Sequence, residues 1–246
     1  MITTLDGKVA IVTGGASGIG AACTRVLAAS GVSVMIADRN LPLAEALAEE
    51  LGAAAVEVDV ADEESCQRMV AATEKRFGRL DIAVNNAGVG NPDRSRIAEL
   101  AYATWLNIVN INLNGVFLSI KAEVPAMLRG GGGSIVNIAS IMGCVAVEGA
   151  ASYVSAKHGV VGLTKAAALD YAPDGIRVNA VGPGFVDTPM LANRTPEQRA
   201  ALDAAHPLGR IATAEEIANV VAFLASPDAA FVTGAYYTAD GGYAAR

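Results

Sequence analysis

The chain has 246 residues, enough for one large α/β domain, and is 52% hydrophobic but only 17% charged, against roughly 25% charged in ordinary globular proteins. A net charge of −7 without a Lys/Arg cluster argues against nucleic acid as a partner, and no apolar run approaches the roughly 20 residues of a membrane span. Residues 1–8 lack signal-peptide character, and Cys23, Cys66, Cys144, His158 and His206 form neither a disulfide framework nor a zinc site, so a cytoplasmic, metal-free protein is expected.

In chain order, apolar runs at 9–13, 32–37, 55–59, 82–85, 134–140 and 177–181 read as strands. Helical patterns lie between them at 21–29, 43–51, 63–77 and 154–171. Strands apolar throughout suit a parallel sheet covered on both faces. Strand–helix alternation predicts a doubly wound, Rossmann-like α/β fold. The four glycines at 130–133 stop a helix and are too few for an interdomain linker, so residues 1–246 read as one domain. Residues 187–213 break the rhythm with Pro189, Pro196, Pro207 and a short helical piece at 196–205. This insertion follows a strand's C-terminal end, where open α/β sheets bind ligands, and it reads as a substrate lid.

The first strand runs into a turn with Gly14, Gly18 and Gly20, followed at once by a helix. Glycines there allow a tight turn and close approach of backbone to a pyrophosphate at the helix N-terminus. The second strand ends at Asp38, where a carboxylate accepts from both ribose hydroxyls and repels a 2′-phosphate, favouring NAD. Arg39 follows immediately, and an arginine there is able to hold that phosphate. Farther on, Tyr153 and Lys157 are four apart, on one face of a helix. A phenol with pKa about 10 is a poor proton carrier at neutral pH, and a nearby ammonium is expected to lower that value. The high apolar content predicts a subunit interface.

Together these features resemble the short-chain dehydrogenase/reductase family over essentially the whole length. The resemblance rests on Gly14, Gly18 and Gly20, Asp59 and Val60, and the run Asn85, Asn86, Ala87, Gly88. It continues through Asn112, Ser140, Tyr153 with Lys157, Pro183 with Gly184, and the terminal Asp240, Gly241, Gly242. It implies a mostly parallel sheet of about seven strands, a homotetramer, and an NAD(H)-dependent enzyme interconverting a secondary alcohol and a ketone. Tyr153 is implied to carry the proton, Lys157 to tune Tyr153 and hold the nicotinamide ribose, Ser140 to polarise the carbonyl, and Asn112 to anchor a proton relay. Ser17 stands where NADP-using members often have a basic residue, and Ile19 completes the nucleotide turn. Asp59 is placed to meet the adenine amino group or to cap a helix, with Val60 beside it. Asn86, Ala87 and Gly88 bring backbone to the cofactor. Pro183, Gly184, Val186 and Thr188 are implied to meet the nicotinamide.

The expected substrate pocket comprises Met142, Cys144, Val147, Glu148, Phe185, Met190 and Leu191, mostly apolar and suited to a compact, cyclic alcohol or ketone. A 3-oxoacyl-carrier-protein reductase is the alternative enzyme, and a catalytically silent dinucleotide-binding sensor or scaffold the alternative of another class.

Overall fold

Seven parallel strands form one sheet in the order β3-β2-β1-β4-β5-β6-β7. They are β1 (Val9–Thr13), β2 (Ser33–Asp38), β3 (Ala54–Glu57), β4 (Ile82–Asn85), β5 (Gly133–Ile138), β6 (Ile176–Pro183) and β7 (Tyr236–Ala239). The structure is a computed structural model and describes residues 5–91 and 94–245. Residues 1–4, part of the segment read for a leader, and Arg246 lie outside the described residues.

The chain starts in the middle of the sheet and winds outward twice. Helices α1 (Gly18–Ala29) and α2 (Leu41–Leu51) cover one face with α8 (Ala214–Ala225). The other face carries α3 (Glu63–Phe77), α5 (Gly115–Gly130) and α6 (Ala151–Tyr171). The short α4 (Tyr102–Val109) passes into α5 through a π-helical turn, Asn110–Asn114. With helices on both faces, β1, β4, β5 and β6 bury almost every side chain, which is why they read as continuous apolar runs. The order in which strands are added reverses between β1 and β4, and that switch point opens the ligand crevice at the strands' C-terminal ends.

Buried polar groups tie this crevice from below. Asn85 Nδ2 donates to Glu123 Oε2 (3.1 Å) and Asn137 Oδ1 (3.0 Å), and Asn137 Nδ2 donates to Thr164 Oγ1 (2.9 Å). The bonds join β4, α5, β5 and α6. Glu123 is fully buried, and burial pushes its carboxyl up to about 8, so it is carried protonated at neutral pH.

The segment expected as a lid is more structured than a loop. Val186 bridges Ala212 in parallel, Asp187 N donates to Ala212 O (2.9 Å) and Ala212 N to Phe185 O (2.9 Å), pinning its two ends together. Inside it, α7 (Pro196–Ala204) starts with a capping box at Thr195 and Gln198. His206 is buried at the base, its Nδ1 at 2.7 Å from Leu202 O and its Nε2 accepting from Phe185 N (3.2 Å). No helix among the described residues is long and apolar enough to cross a membrane.

Candidate active site

A cleft of about 970 Å³ runs along the C-terminal edge of the sheet. At its nucleotide end, β1 delivers Gly14 into the turn and Ser17 caps α1 in an extended conformation. Gly14 needs its freedom: φ is +59°, and an added Cβ would lie 2.9 Å from the Ala87 backbone. Asn86 holds the turn from β4, its Nδ2 donating to Thr13 O and Gly14 O, both at 3.0 Å. Thr13 Oγ1 accepts from Asn86 N (3.0 Å) and Ala87 N (3.1 Å), fixing both backbones together.

Asp38 lines the cleft where β2 ends, its carboxylate oriented by Ala16 N (3.1 Å) and Asn40 N (2.9 Å). Arg39 lines it too. Asp59 and Val60 lie past the end of β3, and Asp59 Oδ1 accepts from Ala61 N (3.0 Å). The cap of α3 is Asp62, which accepts from Glu64 N, so Asp59 is not the helix cap.

The proton-handling residues converge from three elements. Ser140 follows β5, and its Oγ accepts from Met142 N (3.2 Å) and hydrogen-bonds with the Tyr153 phenol. Tyr153 and Lys157 share one face of α6, with the ammonium 5.7 Å from the phenol ring centroid. Lys157 is 4% exposed and donates to Ile138 O (2.8 Å). Burial pulls its pKa down to about 8. Keeping this charge inside at neutral pH costs stability, a cost relieved as pH rises from about 8 towards 10.5.

The expected lowering of the Tyr153 pKa does not occur in the protein alone. Burial raises it above the ordinary phenol value, and the Ser140 hydrogen bond only partly opposes this. Desolvation of the phenol dominates, while Lys157 lies over the ring and directs its ammonium at the Ile138 carbonyl. Asn112 is fully buried in the π-helical turn, and its amide pairs with the Val89 peptide, Nδ2 to Val89 O and Val89 N to Oδ1, both 2.9 Å.

Of the other expected residues, Gly18, Ile19, Gly88, Pro183, Gly184, Val186 and Thr188 line the cleft, as do Met142, Val147, Phe185, Met190 and Leu191. Three do not. Gly20 is buried under the turn, where it admits the Gly14 carbonyl rather than a ligand. Glu148 is solvent-exposed outside the lining. Cys144 is carried away by the 3₁₀ turn Ile141–Gly143 and meets Ile141 O and the Tyr236 hydroxyl instead.

Tyr236, Arg94, Asn91, Asn193 and Arg194 escape the sequence reading. Position directly after the C-terminal end of β4 is the signal available for residues 89–94. Tyr236 acts from behind: its hydroxyl donates to Ser140 O (2.5 Å), and its ring crosses Gly182, where a Cβ would strike it. Tyr236→Phe is expected to cost about 1 kcal/mol of stability, the net worth of one hydrogen bond. It should lower kcat severalfold through a looser Ser140, with cofactor affinity unchanged. Equal kcat in the variant and wild type would remove Tyr236 from the serine's support.

A family described as enoyl-(acyl carrier protein) reductase matches residues 14–244. The chain belongs to the short-chain dehydrogenase/reductase family. The chain is 44% identical to a cyclohexanol dehydrogenase of Acinetobacter sp. (strain SE19), covering 100% of this chain and 98% of that protein. It is also 44% identical to a cis-4-hydroxycyclohexanecarboxylate dehydrogenase of Sinomonas cyclohexanicum, covering 97% of each. A 3-oxoacyl-[acyl-carrier-protein] reductase of Thermotoga maritima is 37% identical over 97% of this chain and 98% of that protein. This short-chain dehydrogenase is therefore an alcohol-oxidising enzyme that uses a nicotinamide cofactor.

Proposed function

We propose that this dehydrogenase oxidises compact cyclic secondary alcohols to ketones, and reduces those ketones, with NAD(H). The observation that carries the reading is the convergence of Ser140, Tyr153 and Lys157 on one wall of the cleft, beside the apolar Met142, Val147, Phe185 and Leu191. Relatives acting on cyclohexanol and on a hydroxycyclohexanecarboxylate support a ring substrate.

The cleft fits a dinucleotide. Gly14 and Gly18 leave backbone where a side chain would fill the turn, the α1 N-terminus faces it, and the Asp38 carboxylate stands ready for ribose hydroxyls. Asn86, Ala87, Gly88, Asp59, Val60, Pro183, Gly184, Val186 and Thr188 would complete the hold. When bound, the nicotinamide supplies or takes the hydride at the substrate carbon. The chain's own part is the proton and the charge. Ser140 donates to the substrate oxygen and stabilises its developing negative charge. Tyr153, a phenol at neutral pH, gives its proton to that oxygen in ketone reduction and must be a phenolate to take one in oxidation. Lys157 and the positive charge of an oxidised nicotinamide together favour that phenolate. The Asn112 amide, only half used by Val89, anchors the relay to solvent. Residues 187–213 cover the substrate as a lid on its pinned base.

Cyclohexanol with NAD⁺ is expected to produce NADH, with kcat/KM for NAD⁺ well above that for NADP⁺. Asp38→Ser, leaving Arg39 to meet a 2′-phosphate, should narrow or invert the ratio. No oxidation of any cyclic alcohol would refute the substrate class, and equal use of both cofactors by the wild type would hand the choice to Arg39.

Assembly as a homotetramer is part of the same reading. Tyr102, Leu106 and Phe117 on α4 and α5, and Leu169 on α6, are exposed apolar side chains on neighbouring helices. Permanent interfaces of this kind bury well over about 1,000 Å². Light scattering at micromolar protein should give four times the chain mass; a fully active monomer would refute it.

A further inference from the structure

Six arginines, Arg25, Arg68, Arg79, Arg129, Arg199 and Arg210, meet carboxylates. Arg177 donates to backbone carbonyls, and Arg76 lies over Phe77. Among the described residues, the guanidiniums of Arg39, Arg94, Arg96 and Arg194 meet no carboxylate, and three of these four line the same cleft. This is not a shortage of acids, since the chain has 25 Asp and Glu against 18 Lys and Arg.

Arg39 sits at the nucleotide end beside Asp38. Arg94 and Arg194 belong to the other end. Ser95 N donates to Gly149 O (3.2 Å), and a Cβ on Gly149 would lie 2.9 Å from that of Arg94, so Arg94 packs on the loop that carries Val147. Arg194 closes the turn after Leu191, its N–H donating to Leu191 O (3.1 Å). The two rims approach where a Cβ at Gly90 would be 3.4 Å from Met190 Sδ. Among the described residues, the acids lining the cleft, Asp38 and Asp59, are at the nucleotide end, and Asp187 is engaged by Arg199 (2.7 Å).

We propose that Arg94 and Arg194 form an anion-receiving rim over the substrate, so that the preferred substrate is a cyclic secondary alcohol bearing a carboxylate away from its reacting carbon. The proposal rests on the cyclic-alcohol reading above and adds the charge. A ring against Val147 and Leu191 directs its reacting carbon at Tyr153 and its far substituent at the rim. A guanidinium pairs with a carboxylate through two parallel N–H donors, which a neutral substituent does not match. Both side chains are exposed, so the carboxylate keeps part of its hydration and the desolvation penalty is small. Because the chain's net charge repels anions, selection depends on this local pair.

The test is calorimetric titration of cyclohexanecarboxylate and cyclohexanecarboxamide, the same ring with and without charge, into protein saturated with NAD⁺. The carboxylate should bind at least about tenfold more tightly, about 1.4 kcal/mol, with an advantage that shrinks as salt rises. Arg94→Gln and Arg194→Gln should each reduce the advantage and the double variant abolish it, while NAD⁺ affinity, which also reports the fold, stays unchanged. Equal affinities, absence of binding by both, or an advantage surviving in the double variant overturns the proposal. A parallel loss of NAD⁺ affinity overturns it too, assigning the guanidiniums to cofactor phosphates. So does tighter, arginine-dependent binding of phosphopantetheine, which would point to an acyl carrier. Cyclohexanol turnover without a carboxylate advantage leaves the cyclic-alcohol reading intact and sinks only the rim; an arginine-dependent advantage without turnover of any cyclic alcohol does the reverse.

Discussion

Tyr153→Phe is expected to lose nearly all turnover in both directions while retaining NADH binding. The substitution keeps the ring that packs beside the Lys157 ammonium and removes only the hydroxyl bonded with Ser140. General acid–base terms are worth about 10²- to 10⁴-fold, and a substrate oxygen left without its partner adds to the loss. Fluorescence titration with NADH should match wild type within a few-fold. A variant retaining more than roughly a tenth of wild-type kcat would move the proton role to another group.

The pH dependence of the wild type is expected to carry the same assignment through its sign. Burial holds the Tyr153 phenol above its ordinary pKa in the cofactor-free protein. Reduction uses the phenol and should stay level through neutral pH, falling only as the solution turns alkaline. Oxidation uses the phenolate and should rise with pH over the same range. In Tyr153→Phe both dependences should vanish from whatever rate remains.

The covered strands and the residues at their C-terminal ends were the legible part of this molecule. Strand β4 needed only its apolar run, whereas its sequel Asn86–Gly88 was read through the family resemblance. Strand β7 was not legible, because Tyr236–Ala239 is a partly exposed edge strand with no apolar run. Strand β3 stops at Glu57, earlier than its pattern suggests, since it too is an edge and pairs only with β2. Cys144 and Glu148 are near Ser140 in sequence, yet a single 3₁₀ turn sends Met142 into the cleft and Cys144 towards Tyr236. That Arg94 and Arg194 meet no carboxylate among the described residues depends on where the other acids lie, which no local pattern encodes. The direction of the Tyr153 shift failed for a related reason: spacing supplies the cation, but burial is a property of the whole fold.

Gly20→Ala is expected to reduce NAD⁺ affinity by at least about a hundredfold, roughly 2.7 kcal/mol, although the added methyl never reaches the cleft. Its Cβ would run into the Gly14 carbonyl oxygen and lie 2.5 Å from Asn86 Nδ2. Neither neighbour is a flexible side-chain end, for that Nδ2 itself donates to the Thr13 and Gly14 carbonyls. The α1 N-terminus and the turn must therefore separate, and the backbone donors that face a pyrophosphate lose their common aim. Overpacking of this kind costs about 1–3 kcal/mol of stability, which at this chain length lowers Tm by several degrees, about 2–4 °C for each kcal/mol. Gly52→Ala is the control: its φ is +65°, but nothing lies within 4 Å of an added Cβ. It should pay only the left-handed backbone strain, about 1–2 kcal/mol, and keep full NAD⁺ affinity. If Gly20→Ala folds and binds NAD⁺ as the wild type does, the turn is not held by the contact between Gly14, Gly20 and Asn86, and the cofactor's grip must come from Asp38 and the 183–188 segment instead.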